Sequence, residues 1–230
     1  MKTTAKIPGL QVGHQFDEVA IGYDFMETIF NNNDFFLSLL PPRCDSALDI
    51  GCGSGILAEA LSPYFTQVTG IDISAGMLAL ARERRPLPNV DYRRQDAHDL
   101  SADEHYDYIV SRTTFHHLED IPAVLERLKT IINPGGHIVI LDCVSPVATP
   151  PRWSYLVGAY GEFLPNCRKL GTSVARKILK FRISRPWLDH LASDRYLSEN
   201  AFHAVFTKAL PGCTITRVQS FFGAIWKAEP

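Results

Sequence analysis

From residue 46 to residue 143 the apolar positions switch between two rhythms. Runs of five to seven residues rich in β-branched and aromatic side chains, Ser46–Ile50, Gln67–Asp72, Val90–Asp96, Tyr106–Ser111 and His137–Cys143, predict strands. Between them Gly55–Ser62, Ala75–Arg84 and Ile121–Ile132 have helical spacing, clearest in the apolar set Val124, Leu125, Leu128, Ile131 and Ile132. Crossovers of this length demand a mostly parallel sheet with helices on both faces. Right-handed crossovers then gather the loops that follow the strands along one edge, where such sheets bind ligands. Pro134-Gly135-Gly136 predicts a turn ahead of the fifth strand. Thr214–Ser220 and Gly223–Ala228 predict an antiparallel edge hairpin around Phe221-Phe222-Gly223. The pattern therefore predicts a doubly wound α/β fold whose seven-stranded sheet is parallel except at that hairpin. Residues 145 to 210 lack this rhythm, are rich in Pro, Trp, Tyr and Arg, and predict a largely helical cover.

Composition narrows the picture. With 230 residues, 46% hydrophobic, 21% charged and a net charge of −2, the chain has the makings of a packed globule rather than a disordered one. No apolar run reaches 18 residues and the first eight lack the apolar centre of a signal peptide, so a soluble, cytoplasmic protein is expected. Cys44, Cys52, Cys143, Cys167 and Cys213 form no C-x-x-C pair, which argues for reduced thiols and against a zinc finger or an iron–sulfur ligand run. Charge is unevenly spread: residues 1 to 162 carry 12 Lys+Arg against 21 Asp+Glu, and residues 163 to 230 carry 11 against 4. Seven of those cations, Arg168, Lys169, Arg176, Lys177, Lys180, Arg182 and Arg185, fall between Phe163 and Leu188 with no acid among them. They read as recognition of a carboxylate or phosphate on a substrate, or as a solvated helix face. Arg176 and Lys180 beside Ile178, Leu179 and Phe181 also allow an amphipathic surface for a membrane or lipid-like substrate. No nucleic-acid-binding motif accompanies these charges.

The chemistry concentrates in Leu48-Asp49-Ile50-Gly51-Cys52-Gly53-Ser54-Gly55, which leaves the first strand and opens a helix. Glycines in that setting let a ligand approach the backbone. A dinucleotide fingerprint spaces them G-x-G-x-x-G/A; here the third glycine comes one place early and Ile56 follows it, a poor fit to a diphosphate. Asp72 ends the second strand about twenty residues on, where a carboxylate accepts hydrogen bonds from a ribose diol. Asp96-Ala97 follows the third strand, an acceptor for an adenine amino group beside a residue small enough to leave room for the ring.

With these residues in view, the sequence resembles the class I S-adenosylmethionine-dependent methyltransferases, within them the small-molecule group called type 11. The resemblance spans about residues 46 to 143 and rests on the glycine loop, Ile71-Asp72-Ile73-Ser74 with Met77, Asp96-Ala97, Tyr106–Arg112 before His116-His117-Leu118, and Asn133-Pro134-Gly135-Gly136. Phe16-Asp17, Ala20 and Tyr23-Asp24 resemble the family's N-terminal helix that closes over the cofactor. The resemblance implies a Rossmann-like domain over 1–230: an N-terminal helical lid at 1–45, a cofactor-binding core at 46–144, a substrate cover at 145–212 and the edge hairpin at 213–230. It implies S-adenosyl-L-methionine as cofactor. Asp49, Gly51, Gly53 and Gly55 would surround its methionine part and Asp72 its ribose. Ile73 and Met77 would pack on adenine, Asp96 and Ala97 would meet its edge, and backbone near Ser111 would contact the amino group.

The sulfonium methyl is already activated, so transfer needs positioning rather than a covalent nucleophile, and no metal is expected. A hydroxyl or acidic-carbon acceptor needs a base as well. His116, after the fourth strand on the ligand edge, is the candidate base, with His117 expected to point elsewhere; Tyr23 is the candidate lining the transfer site from the lid. Asp142 reads equally as a pocket residue or an exposed turn. Trp153, Tyr155, Tyr160, Phe163 and Trp187 suit a pocket for a flat or apolar acceptor, or a packed core. The expected reaction is methyl transfer to O, C or N of a small metabolite, apolar or aromatic with an anionic group. The competing expectations are an S-adenosylmethionine-binding protein that steers a rearrangement or only binds, and a nucleoside-cofactor oxidoreductase.

Overall fold

Inner strand runs buried on both faces pair with more exposed edge strands into one sheet. The computed structural model describes residues 8–230, with side chains from residue 13 onward. Of the eight leading residues read above for a signal sequence, which also begin the expected lid, the first seven lie outside the described residues. Helices α1 (Pro8–Phe30) and α2 (Asn33–Leu37) precede an alternating core. That core runs β1 (Ser46–Ile50), α3 (Ile56–Leu61), β2 (Gln67–Asp72), α4 (Ala75–Arg84), β3 (Val90–Arg94), β4 (Tyr106–Arg112), α5 (Ile121–Ile131) and β5 (Ile132–Cys143). Then come α6 (Arg152–Gly161), α7 (Phe163–Leu170), α8 (Thr172–Arg182), α9 (Arg185–Leu191) and α10 (Glu199–Ala209), followed by β6 (Thr214–Val218) and β7 (Phe221–Lys227). The sheet order is β3-β2-β1-β4-β5-β7-β6, with β7 antiparallel to both β5 and β6 and the other pairings parallel.

Side chains two apart along a strand share a face, and the core divides accordingly. Leu48, Ile50, Ile109, Ile138 and Ile140 join Leu125 and Leu128 of α5 and Phe202 and Phe206 of α10 in one layer. Ala47, Tyr108, Val110, Val139 and Leu141 join Phe36, Leu57, Leu61 and Leu78 in the other. Helix α10, inside the stretch expected to form a cover, thus packs on the sheet itself. Caps set the helix starts: Ser74 accepts from Met77 N at 3.0 Å, Asp120 from Ala123 N at 3.0 Å and Ser198 from Ala201 N at 3.2 Å.

Two turn expectations are corrected. Pro134-Gly135-Gly136 is an interruption inside β5, because Ile132 already pairs with Tyr106 before the register resumes at Tyr108 and His137. The hairpin turns at Gln219 and Ser220, with Gln219 at φ 56°. Phe221 and Phe222 stay in β7, since Phe222 packs against Phe202 in the core. Among the described residues no helix is long and apolar enough to cross a membrane.

Candidate active site

The C-terminal ends of β1, β2 and β4, with the segment that follows β3, open onto one cavity of about 1130 Å³, walled on the far side by α1 and the segment after α9. Its floor at one end is the glycine loop. Gly51 has φ 68° and a Cβ there would collide with Thr114, whereas Gly53, at φ 53°, has no atom within 4 Å of where a Cβ would stand. The space above Gly53 is therefore left for a ligand. Asp72 holds this loop: Oδ2 accepts from Gly53 N at 2.9 Å and Oδ1 from Ser74 N at 2.8 Å. Burial pushes the Asp72 carboxyl up, against these amide bonds. Ile73, Met77, Asp96 and Ala97 continue the wall from there.

Asp49 lies beside the loop, in a small recess it shares with Tyr23, Glu27, Gly53 and Arg112. It is 1% exposed and its Oδ2 has no hydrogen-bond partner. Burial raises it to about 7, with the Arg112 guanidinium opposing and the Asp72 charge adding. A buried acid without a donor on one oxygen favours a cationic or hydrogen-bond-donating ligand.

At the other end stands His116. Its Nδ1 is 2.6 Å from Asp142 Oδ1 and its amide donates to Asp142 Oδ2 at 2.8 Å, so one carboxylate fixes both ring and backbone. Asp142 is thus a buried partner of the site and not an exposed turn. Burial pulls the His116 pKa down, but the Asp142 charge and hydrogen bond outweigh it and the net shift is upward. In the neutral ring with Nδ1–H given to Asp142, Nε2 carries the lone pair. Tyr23 reaches in from α1, its hydroxyl 3.2 Å from Thr113 Oγ1, and burial raises its pKa far enough that it stays a phenol.

Several expected placements change. His117 does not point away: it lines the cavity, stacks edge-on to Phe16 at 5.4 Å, and lies well below its usual pKa through burial and then the His116 and His190 charges. Ser111 lies beneath the cavity, its Oγ donating to Ile50 O at 2.8 Å; the wall there is Arg112, Thr113 and Thr114. Gly55 is buried under Tyr92 and lines neither space. The aromatics of the expected acceptor pocket do not line the cavity: Trp153 and Tyr160 are exposed, and Trp187 packs behind Tyr23 at 5.8 Å. The aromatic wall is Phe16 and Tyr23 instead. None of the seven cations between residues 163 and 188 lines it, and the Ile178 of the proposed amphipathic surface is buried. The arginines that do line it are Arg112, paired with Glu27, and Arg195.

Glu27 and Arg112 escaped the sequence reading, as did His190 and Asp194. A signal existed for Glu27, since Phe16, Tyr23 and Glu27 are spaced seven and four apart on one helical face.

Residues 48–140 match the model of a family described as a methyltransferase domain. Over 139 residues the chain is 30% identical to the ubiquinone biosynthesis O-methyltransferase of Acinetobacter baylyi, a match covering 58% of this chain and 56% of that protein. Over 119 residues it is 32% identical to an uncharacterized methyltransferase of Mycobacterium bovis, covering 50% and 59%. The chain thus spans somewhat more than half the length of these curated relatives. The DhpI–SAH complex superposes with a TM-score of 0.67 at 18% identity, covering 99% of this chain and all of that one. The N-methyltransferase NodS from Bradyrhizobium japonicum does so at 0.55 and 18%, covering 90% and 98%. At such identities the structures share the fold. Residues 48–140, which carry the glycine loop, thus match a methyltransferase domain, and the whole chain shares the strand order and fold of these methyltransferase structures.

Proposed function

We propose that the protein transfers a methyl group from S-adenosylmethionine to a small organic acceptor, with a hydroxyl oxygen or an acidic carbon favoured over nitrogen. The observation that carries this reading is that one cavity joins Gly53 and Asp72 to the Asp142-held His116. A neutral amine needs no base of this kind, whereas a hydroxyl or carbon acid does. The similarity to an O-methyltransferase supports the same choice.

When bound, the cofactor supplies a methyl group already activated on a positive sulfur. The chain's part is then to bind, align and exclude water. Asp72 would hold the ribose diol, Ile73 and Met77 would hold the adenine, and Asp96 and Ala97 would meet its edge. Asp49 faces the cationic methionine part, with Gly51 and Gly53 giving its backbone room; Gly55 shapes the loop from beneath and Ser111 braces its floor. Phe16 and Tyr23 close the acceptor side, and the Tyr23 phenol and Thr113 hydroxyl offer hydrogen bonds to the acceptor. His116 Nε2 takes the acceptor's proton as the new bond forms, and Asp142 stabilises the resulting imidazolium.

The test has two parts. S-adenosylhomocysteine at about 100 times its dissociation constant should raise stability by about 2.7 kcal/mol, and Asp72→Asn should shrink that gain by weakening affinity roughly 10- to 100-fold. Stabilisation by NAD and not by S-adenosylhomocysteine sinks the proposal. Incubation with labelled cofactor and extracted metabolites should then label one product, whose mass analysis identifies the acceptor; a chain that binds but labels nothing is a binder only.

Asp49 sets a pH signature. Its carboxyl is neutral in the free protein below about 7, so a cationic ligand must drive the proton off. Cofactor affinity should fall by up to about tenfold per pH unit below that value. Calorimetry at several pH values should find proton release in the native protein and none from this site in Asp49→Asn; equal slopes in both would remove Asp49 from the binding site.

A further inference from the structure

We propose that His116, His117 and Asp194 form a binding site for a single zinc-class dication at the acceptor end of the cavity. One ligating atom from each lies within 4.8 Å of the other two. His117 Nδ1 and Asp194 Oδ1 are 3.5 Å apart, too far for a good hydrogen bond. That spacing matches the edge of about 3.3–3.5 Å expected between donors 2.0–2.2 Å from a tetrahedral ion. Asp194 Oδ2 is occupied by the Tyr196 hydroxyl at 2.7 Å, whereas Oδ1 is buried with no hydrogen-bond partner, on a side chain 1% exposed. A third imidazole converges on the same oxygen, His190 Nε2 at 3.9 Å, and His190 Nδ1 is likewise buried without a partner. A cation between these groups satisfies a carboxylate oxygen that the protein itself leaves bare.

The surroundings fit metal binding as well. His116 points Nδ1 at Asp142, the carboxylate–imidazole arrangement that orients metal-bound histidines and leaves Nε2 as ligand. Imidazole and carboxylate without thiolate suit zinc, cobalt, nickel or copper. The ligands come from the loop after β4 and from the segment after α9, so the ion ties the cover to the sheet. A second consequence rests on the methyl-transfer reading: the ion takes the lone pair that His116 needs to accept a proton, so a filled site suppresses transfer.

Full-length, tag-free, chelator-treated protein titrated with cobalt(II) tests the site through the visible absorption of tetrahedral cobalt. The expected result is one cobalt per chain, displaced by one zinc, with affinity at least 100-fold lower in Asp194→Asn and in His117→Gln, each checked for a native melting transition. No saturable cobalt band, or equal affinity in both folded variants, overturns the site. Zinc should also inhibit methyl transfer by the native protein, whereas Asp194→Asn should keep its own metal-free rate, whatever that is, when zinc is added. Zinc that binds without inhibiting overturns the competition for His116, while absence of methyl transfer under all conditions counts against the functional reading and leaves the cobalt result standing.

Discussion

His116→Ala lowers turnover roughly 10²- to 10⁴-fold, the range for removal of a positioned base, while affinity for S-adenosylhomocysteine stays within a few-fold of native. The split follows from the layout. His116 is held by Asp142 at the acceptor end, whereas the loop of Gly51 and Gly53 is held by Asp72 at the other. Asp142→Asn should fall between the two, because an amide still meets the ring but no longer stabilises the imidazolium. The measurement is single-turnover transfer of labelled methyl to the acceptor identified by labelling, with calorimetry for the cofactor product. A rate for His116→Ala within threefold of native removes the proton-transfer role. A matched loss of affinity instead makes His116 a structural residue.

Arg85→Leu costs about 3–5 kcal/mol of stability, the usual penalty for stranding one member of a buried ion pair. Arg85 is buried, and its Nη1 donates to Asp24 Oδ1 and to Ser54 O, both at 2.8 Å, while Nε meets Glu59 at 3.0 Å. Asp24, 2% exposed, is left with the Ser54 bond and with the half-exposed Arg84 as its cation when Arg85 goes. Burial alone would raise the Asp24 pKa, yet the bonds from Ser54 and Arg85 and the Arg84 charge hold it below the usual carboxylate value. Its contribution is therefore complete above the unfolded pKa near 4 and is lost as pH falls through the depressed folded value. At roughly 2–4 °C per kcal/mol for a chain of this size, melting should drop by about 6–20 °C. Asp24→Leu combined with Arg85→Leu should recover part of that loss, as apolar replacement of a whole pair does. A single variant melting within 2 °C of native shows that the pair contributes nothing net. The pair joins α1 to the end of α4 and the glycine loop, so the same variant reports on how firmly α1 is seated.

The parallel core was legible because its inner strands contain short runs buried on both faces and bounded by turn signals, as in Ala47–Ile50 before Gly51. Signals that depend on a distant partner were not. Pro134-Gly135-Gly136 reads as a turn until Tyr106 is seen pairing with Ile132 ahead of it. Phe221-Phe222 reads as a connection until Phe202 supplies the surface that holds Phe222 in a strand. In the candidate site, the positions of Asp72 and His116 beside the cavity could be anticipated from their offsets after strand ends, and that of Asp49 from the resemblance. Asp194 and His190 were not, since nothing in the helical spacing of 152–191 tells which end of the cover returns to β4. The aromatic side chains there misled for the same reason: composition promised a pocket wall, while the helix faces turn Trp153 and Tyr160 to solvent.

The chain leaves β5 and comes back beside itself. Val144 bridges Leu197, Ser145 N donates to Leu197 O at 2.9 Å, and Tyr196 N donates to Ala148 O at 2.9 Å. Four of the five helices between β5 and β6 thus hang from a clasp whose two jaws are neighbours in space. Lengthening or shortening what lies between the jaws leaves strand register untouched, because no ladder bond has to span the change. These four helices are accordingly a cassette, free to diverge in length while the parallel core beneath keeps its dimensions.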